Sequence, residues 1–406
     1  RWADELVEAA RGLAERAWEA AGYEDRSAAV TVFNPTGHPR QDVVRFAVPP
    51  GRPKRQVRDA DGRVLPSQHV VEDDQSVVYF IPPRLEAFSV ATLGLASGGP
   101  PPPTVLAATP TSLDGPYYRL TVAPRTGGLA SLVHKPTGRE LVVAGPRTLG
   151  QTVYFDRKEA EVVGVESTVE AIGPVLARLH VSYRTGPAET DLFVTLYAHV
   201  DRVDLDYRVR KPAVSVEERL VHVFPVVAPG ATVRLDTTGA VVRPRPAPEG
   251  DLVPGGNARR FAIQAFVDAS GPGGGVTLVT RDAFLLRHDL EPLSFEALGN
   301  DQNFKEVTKD QGGATDFRFR YTVRAHAGDY EGADAFAWSR SVTMPVEALR
   351  GRIGRPPAAA PSVDPARAIV LALKAPDDPA ARGIVLRLRE TAGRSGPLTI
   401  GTGRAK

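Results

Sequence analysis

The chain has 406 residues, with 50 Lys and Arg against 48 Asp and Glu, and the resulting formal charge of +2 gives no excess of either sign to attract a polyanion such as nucleic acid. It has no cysteine, which excludes disulfides and thiolate metal sites, and it contains no apolar run near the roughly 20 residues of a membrane span. Its 38 Gly and 36 Pro exceed average usage, while 42% hydrophobic residues suffice for real cores, a balance expected of many short strands joined by turns.

Residues 1–22 carry the one clear helical pattern. Trp2, Leu6, Ala9, Ala10, Leu13 and Ala17, with Trp18 or Ala20, recur at spacings of three and four opposite Asp4, Glu8, Arg11 and Glu15, and Gly22 is placed to end the helix. Such a stripe needs cover from the β-domains, from a second copy of the chain, or from other helices. Its N-terminus lacks the short apolar core of a signal peptide, so a soluble cytoplasmic protein is the expectation, and the first residue, Arg1 and not Met, leaves the natural start unshown.

From Ala28 to about residue 96 the pattern is a small all-β unit. AAVTVFNPTGHPRQDVVRFAVP reads as strand, turn and strand around Asn34-Pro35 and Gly37, and VRDADGRVLPSQHV repeats the design with Asp61-Gly62 at its turn. The run SGGPPPPTV at 97–105, stiffened by four consecutive prolines, marks a linker.

Beyond it, YYRLTVAPRTGGLASLVHKPTGRELV at 117–142 reads as three strands. The segment Glu189–Val227 then shows the strongest alternation in the chain. Leu192, Val194 and Leu196 face one way and Phe193, Thr195 and Tyr197 the other, and Val203, Leu205, Tyr207 and Val209 continue the period after a turn at 199–202. GGGVTLVTRDAFLLRHD at 273–289 and DFRFRYTVRAHAGD at 316–329 add further strands, and AIVLALKAPDDPAARGIVLRLRE at 368–390 forms a last unit. Strand-period segments filling about 240 residues exceed what a sandwich of roughly 100 residues can use. Two large antiparallel sheets packed face to face are therefore expected over 105–345.

LYAHVDRVDLDYRV followed by VFPV, together with VFNPTGHPR, the D-x-x-G-x-x-L-P-S-Q run at 59–68 and GGLASLVHKPTGREL, resembles the C-terminal half of glycoside hydrolase family 38, the retaining, zinc-dependent α-mannosidases. The resemblance implies a mainly β fold divided as follows: 1–25, the last helix of a bundle; 28–96, a small β-sandwich; 97–105, the linker; 106–350, a β-super-sandwich of the galactose-mutarotase type; and 364–406, an incomplete β-module. It implies a non-catalytic role beside an N-terminal catalytic domain that holds zinc and acts on mannosides or oligosaccharides, with no cofactor in this chain. The alternatives are a free-standing carbohydrate-binding or scaffold module, and a mutarotase-like sugar enzyme.

The residues give no catalytic set of their own. Glycoside hydrolysis needs two carboxylates at a fixed separation, and no such pair is legible. His199-Val200-Asp201 spells His-x-Asp, yet the sequence places no third ligand beside it, and it is read as a solvated turn. His38, His69, His134, His180, His222, His288 and His326 are scattered one per strand or turn, and GPGGG at 271–275 precedes a strand, as a β-turn would. No strand–G-x-S-x-G–helix context supports a serine nucleophile. Two places remain as substrate-binding candidates. GQTVYFD at 150–156 resembles the family segment in which a tyrosine reaches towards the sugar, with Tyr154 the nearest match. The polar run at 295–313 offers Asn300, Asp301 and Lys305 to sugar hydroxyls.

Overall fold

The structure, a computed structural model, describes residues 2–25, 28–48, 55–97, 102–214, 216–287, 293–300, 313–354, 361–378, 380–391, 393 and 395–401. The chain divides into two compact units, one formed by 1–102 with 344–406 and the other by 103–343. It is mainly antiparallel β, as expected, with helices at Trp2–Ala20 and Ala335–Thr343. No helix among the described residues is long and apolar enough to cross a membrane.

The larger unit is built on a nine-stranded sheet. In spatial order its strands are Val162–Ile172, Leu176–Thr185, Ala188–Tyr197, Val203–Arg210, Asp316–His326, Gly274–Thr280, Phe266–Gly271, Thr232–Thr237 and Ala240–Val242. The hairpin with the strongest alternation sits at its centre. Leu192, Val194 and Leu196 pair with Tyr207, Leu205 and Val203, and all six are buried. Because strand side chains alternate faces, this pairing concentrates the apolar residues on one side. Against that side pack two five-stranded sheets. One runs Gln151–Phe155, Glu218–Val223, Ser294–Asn300, Leu285–Arg287, Arg260–Ala262, and the other Arg139–Glu140, Leu129–His134, Tyr118–Val122, Ser112–Asp114, Ala107–Thr109. Leu120, Leu132, Leu220 and Phe295 from the small sheets share a single core with Leu179, Leu205, Tyr321 and Val323 from the large one. At about 1.5–3 kcal/mol for each large apolar side chain removed from water, this core dominates the stability of the unit. The opposite face of the large sheet is polar, with Asp206 held by Arg318 and Asp204 accepting from the Tyr197 and Thr322 hydroxyls.

In the smaller unit a four-stranded sheet (Glu347–Arg350, Ala29–Phe33, Val90–Ser97, Arg55–Arg58) and a three-stranded sheet (Val44–Val48, Gln75–Phe80, Ser67–Glu72) enclose a core of Val30, Val32, Val44, Phe46, Val78, Phe80 and Leu93. The turn signal at Asn34 has a specific cause. Its buried amide donates to the His38 and Glu86 carbonyls, and its Oδ1 accepts from the Thr36 backbone N–H and hydroxyl, tying two loops together. Sequence reading carries the large unit to residue 350, but Glu347–Arg350 pairs with Ala29–Phe33 and belongs to the small sheet. The last hairpin, Ala368–Lys374 with Val385–Glu390, also lies in this unit.

The N-terminal helix ends as read, with Gly22 at φ 69 and its N–H bonded to the Glu19 carbonyl. Its stripe is not buried as a continuous face: Leu6 is 50% and Leu13 62% exposed, while half-buried Trp18 meets Phe33 edge-on at 6.4 Å. The Trp2 side chain lies outside the described set.

Candidate functional site

Tyr154 and Asn300 are brought to the same face of one sheet, on either side of a residue that the sequence reading passes over. Tyr154 is opposite Leu220, and Asn300 is opposite Glu218. Period-2 alternation puts Glu218, two residues before Leu220, on the face that carries Tyr154. The Tyr154 hydroxyl donates to Glu218 Oε2 at 2.7 Å, and Lys211 Nζ meets Glu218 Oε1 at 2.5 Å while also donating to the Pro212 carbonyl at 2.9 Å. Asn300 Nδ2 donates to the Val214 carbonyl at 2.9 Å. All four side chains are buried, Lys211 completely.

The electrostatics are those of a closed network. A buried carboxylate is tolerated only when paired and hydrogen-bonded, and here each Glu218 oxygen has its own donor. Burial, and then the bond to Glu218, push the Tyr154 phenol well above its ordinary range, so it is a neutral donor. The phenol ring lies against the Thr185-Gly186-Pro187 turn, where a Cβ on Gly186 would stand 2.5 Å from Tyr154 Cδ1. Gly186 also adopts φ 56, so conformation and space both call for glycine. Tyr154 thus points into the unit, onto Glu218. Asn300 holds the 211–214 segment rather than facing solvent, and Asp301 and Lys305 lie outside the described residues.

The histidines scattered in sequence acquire partners in space. His134 Nε2 lies 3.3 Å from Asp201 Oδ2, His180 Nε2 lies 2.6 Å from Asp191 Oδ1, and His326 Nε2 lies 2.9 Å from Asp268 Oδ2. The turn at 199–202 is therefore only partly solvated, since His199 is exposed while Asp201 turns to His134. Ser270 donates to Asp268 and not to His326, so the Ser, His and Asp found together there are not arranged to activate a nucleophile. Among the described residues no group of three or more His, Asp or Glu side chains could hold a metal ion. These residues do not fit the zinc that the family resemblance places in a separate catalytic domain.

No family model matches the chain, and no curated protein matches it. Solved structures do match, among them two that align with nearly all of it. One is an alpha-mannosidase from Enterococcus faecalis V583, 16% identical, aligned over 98% of this chain and 54% of its own length with a TM-score of 0.70. The other is a protein in glycosyl hydrolase family 38 from Enterococcus faecalis, 16% identical, over 98% of this chain and 56% of that one, with a TM-score of 0.69. The chain has the fold of part of these proteins. It spans about half their length, so at this identity the likeness establishes the arrangement of sheets in the matched part and not the chemistry of the whole.

Proposed function

We propose that this chain is the non-catalytic β portion of an α-mannosidase, a retaining glycosidase, in which it supports a separate zinc-bearing catalytic domain. The observation that carries the reading is the coverage: 98% of this chain aligns with structures almost twice as long. The motif resemblance at VFNPTGHPR and LYAHVDRVDLDYRV points the same way. The geometry of the Tyr154 network supports a bracing role, because Glu218, the carboxylate it is built on, is neutralised by Lys211, whereas hydrolysis needs two carboxylates with separated roles. Contact of Asp301 and Lys305 with sugar hydroxyls is part of the proposal.

The test is the reading frame on the N-terminal side of Arg1. The proposal expects it to continue into a domain with a His-x-Asp pair and an Asp-bearing strand end. An in-frame start immediately before Arg1 would oppose it and favour a free-standing module.

A further inference from the structure

His222 lies at the seam between two sheets of the larger unit. It belongs to the strand Glu218–Val223 of a five-stranded sheet, yet its ring stacks at 4.2 Å on Tyr207 of the nine-stranded sheet and meets Phe319 and Tyr321 of that sheet edge-on at 5.5 and 5.4 Å. It is fully buried. Nδ1 shares a hydrogen bond of 3.0 Å with the Tyr321 hydroxyl, and Nε2 is buried without a partner.

The neighbours of this ring offer aromatic faces and a hydroxyl but no opposite charge to offset a proton on it. Its cross-strand partners are Thr152 and Phe295, and Leu220 and Phe224 flank it along its own strand. Thr152 shares a hydrogen bond with the Tyr183 hydroxyl. The titratable groups facing the ring are thus Tyr207 and Tyr321, with Tyr183 behind Thr152. Burial pushes all three phenols upwards, with Asp282 adding to it at Tyr321 and Asp191 at Tyr183, so each is neutral; these carboxylates act on the phenols, and none is among the ring contacts named above.

We propose that His222 is an acid-release point of the sandwich: protonating it places an uncompensated charge between the two sheets, forces them apart, and confines this unit to near-neutral surroundings. Desolvation lowers its pKa from 6.5 to about 3 in the folded state. Because the folded pKa is depressed, the unfolded chain binds the proton more readily. The stability is therefore complete above 6.5 and is lost progressively as pH falls towards 3. The inference concerns this chain alone and does not depend on the mannosidase reading.

The experiment is denaturant unfolding of the whole chain at about pH 7 and about pH 4.5, for the wild type and for His222→Phe. Two pH units below the unfolded-state value, this one group should raise the unfolding constant by about a hundredfold. His222→Phe should remove that factor while leaving the pH response of the other groups in place. Since the single change orphans the Tyr321 hydroxyl, the double variant His222→Phe/Tyr321→Phe supplies a folded comparison in which both partners are gone. A smaller acid sensitivity in the double variant, by one to two powers of ten, supports the proposal. Equal acid sensitivity in wild type and double variant overturns it.

Discussion

At the scale of single residues, the most informative positions are those where a charged group occupies a place in the alternation reserved for the core. Val203, Leu205, Tyr207 and Val209 point inwards, and Lys211 continues their phase. Glu218 stands in phase with Leu220, His222 and Phe224. That phase was legible in the sequence, but the Lys211–Glu218 pairing was not, because the two residues approach only once the chain turns between them and the strand Ser294–Asn300 fixes the register. Removing one partner of a buried ion pair leaves the other charge uncompensated, so Lys211→Met should cost about 3–5 kcal/mol. Lys211→Met with Glu218→Leu should recover most of it, as equilibrium unfolding would show. Tyr154→Phe removes one bond to a carboxylate and should cost about 1.5–3 kcal/mol. A loss in Tyr154→Phe no larger than that of an exposed surface change would mean that the hydroxyl does not brace Glu218.

At the scale of elements, strands and turns were read more securely than their partners. The hairpin Ala188–Tyr197 with Val203–Arg210 follows from its alternation, whereas Glu347–Arg350 was placed with the wrong unit because a four-residue strand carries no mark of its partner in its own sequence. Turn glycines can be separated by what surrounds them. Gly186 and Gly239 both have positive φ, but Gly186 packs on the Tyr154 ring while a Cβ on Gly239 would meet nothing within 4 Å. Gly239→Ala should therefore cost about 1–2 kcal/mol from conformation alone. Gly186→Ala should cost clearly more, and equal melting losses for the two would contradict the packing described. The N-terminal helix offers a contrasting expectation. With Leu6 and Leu13 exposed, Leu13→Glu should leave the stability of the chain within about 0.5 kcal/mol of wild type. A large loss would mean that the stripe is covered in solution.

At the scale of the whole molecule, the mainly β architecture and the sheet-on-sheet packing of 105–345 were readable from periodicity and turn chemistry. The division of the core among one nine-stranded and two five-stranded sheets was not, because strand order depends on long-range pairing. The candidate site was legible only in outline. Tyr154 and Asn300, read from the sequence as sugar contacts, do share a sheet face, and there they bond Glu218 and the Val214 carbonyl, partners that period-2 alternation alone does not reveal. The fold is that of part of longer solved structures of α-mannosidase type, and the role proposed for this part is to brace a catalytic domain without itself hydrolysing. The direct measurement is zinc-dependent release of an aryl group from an α-mannoside by residues 1–406 alone and by the protein expressed from its whole reading frame. The proposed bracing role predicts turnover in the longer protein, abolished by chelation, and none from 1–406. Turnover by 1–406 alone, or none by the longer protein, would contradict it.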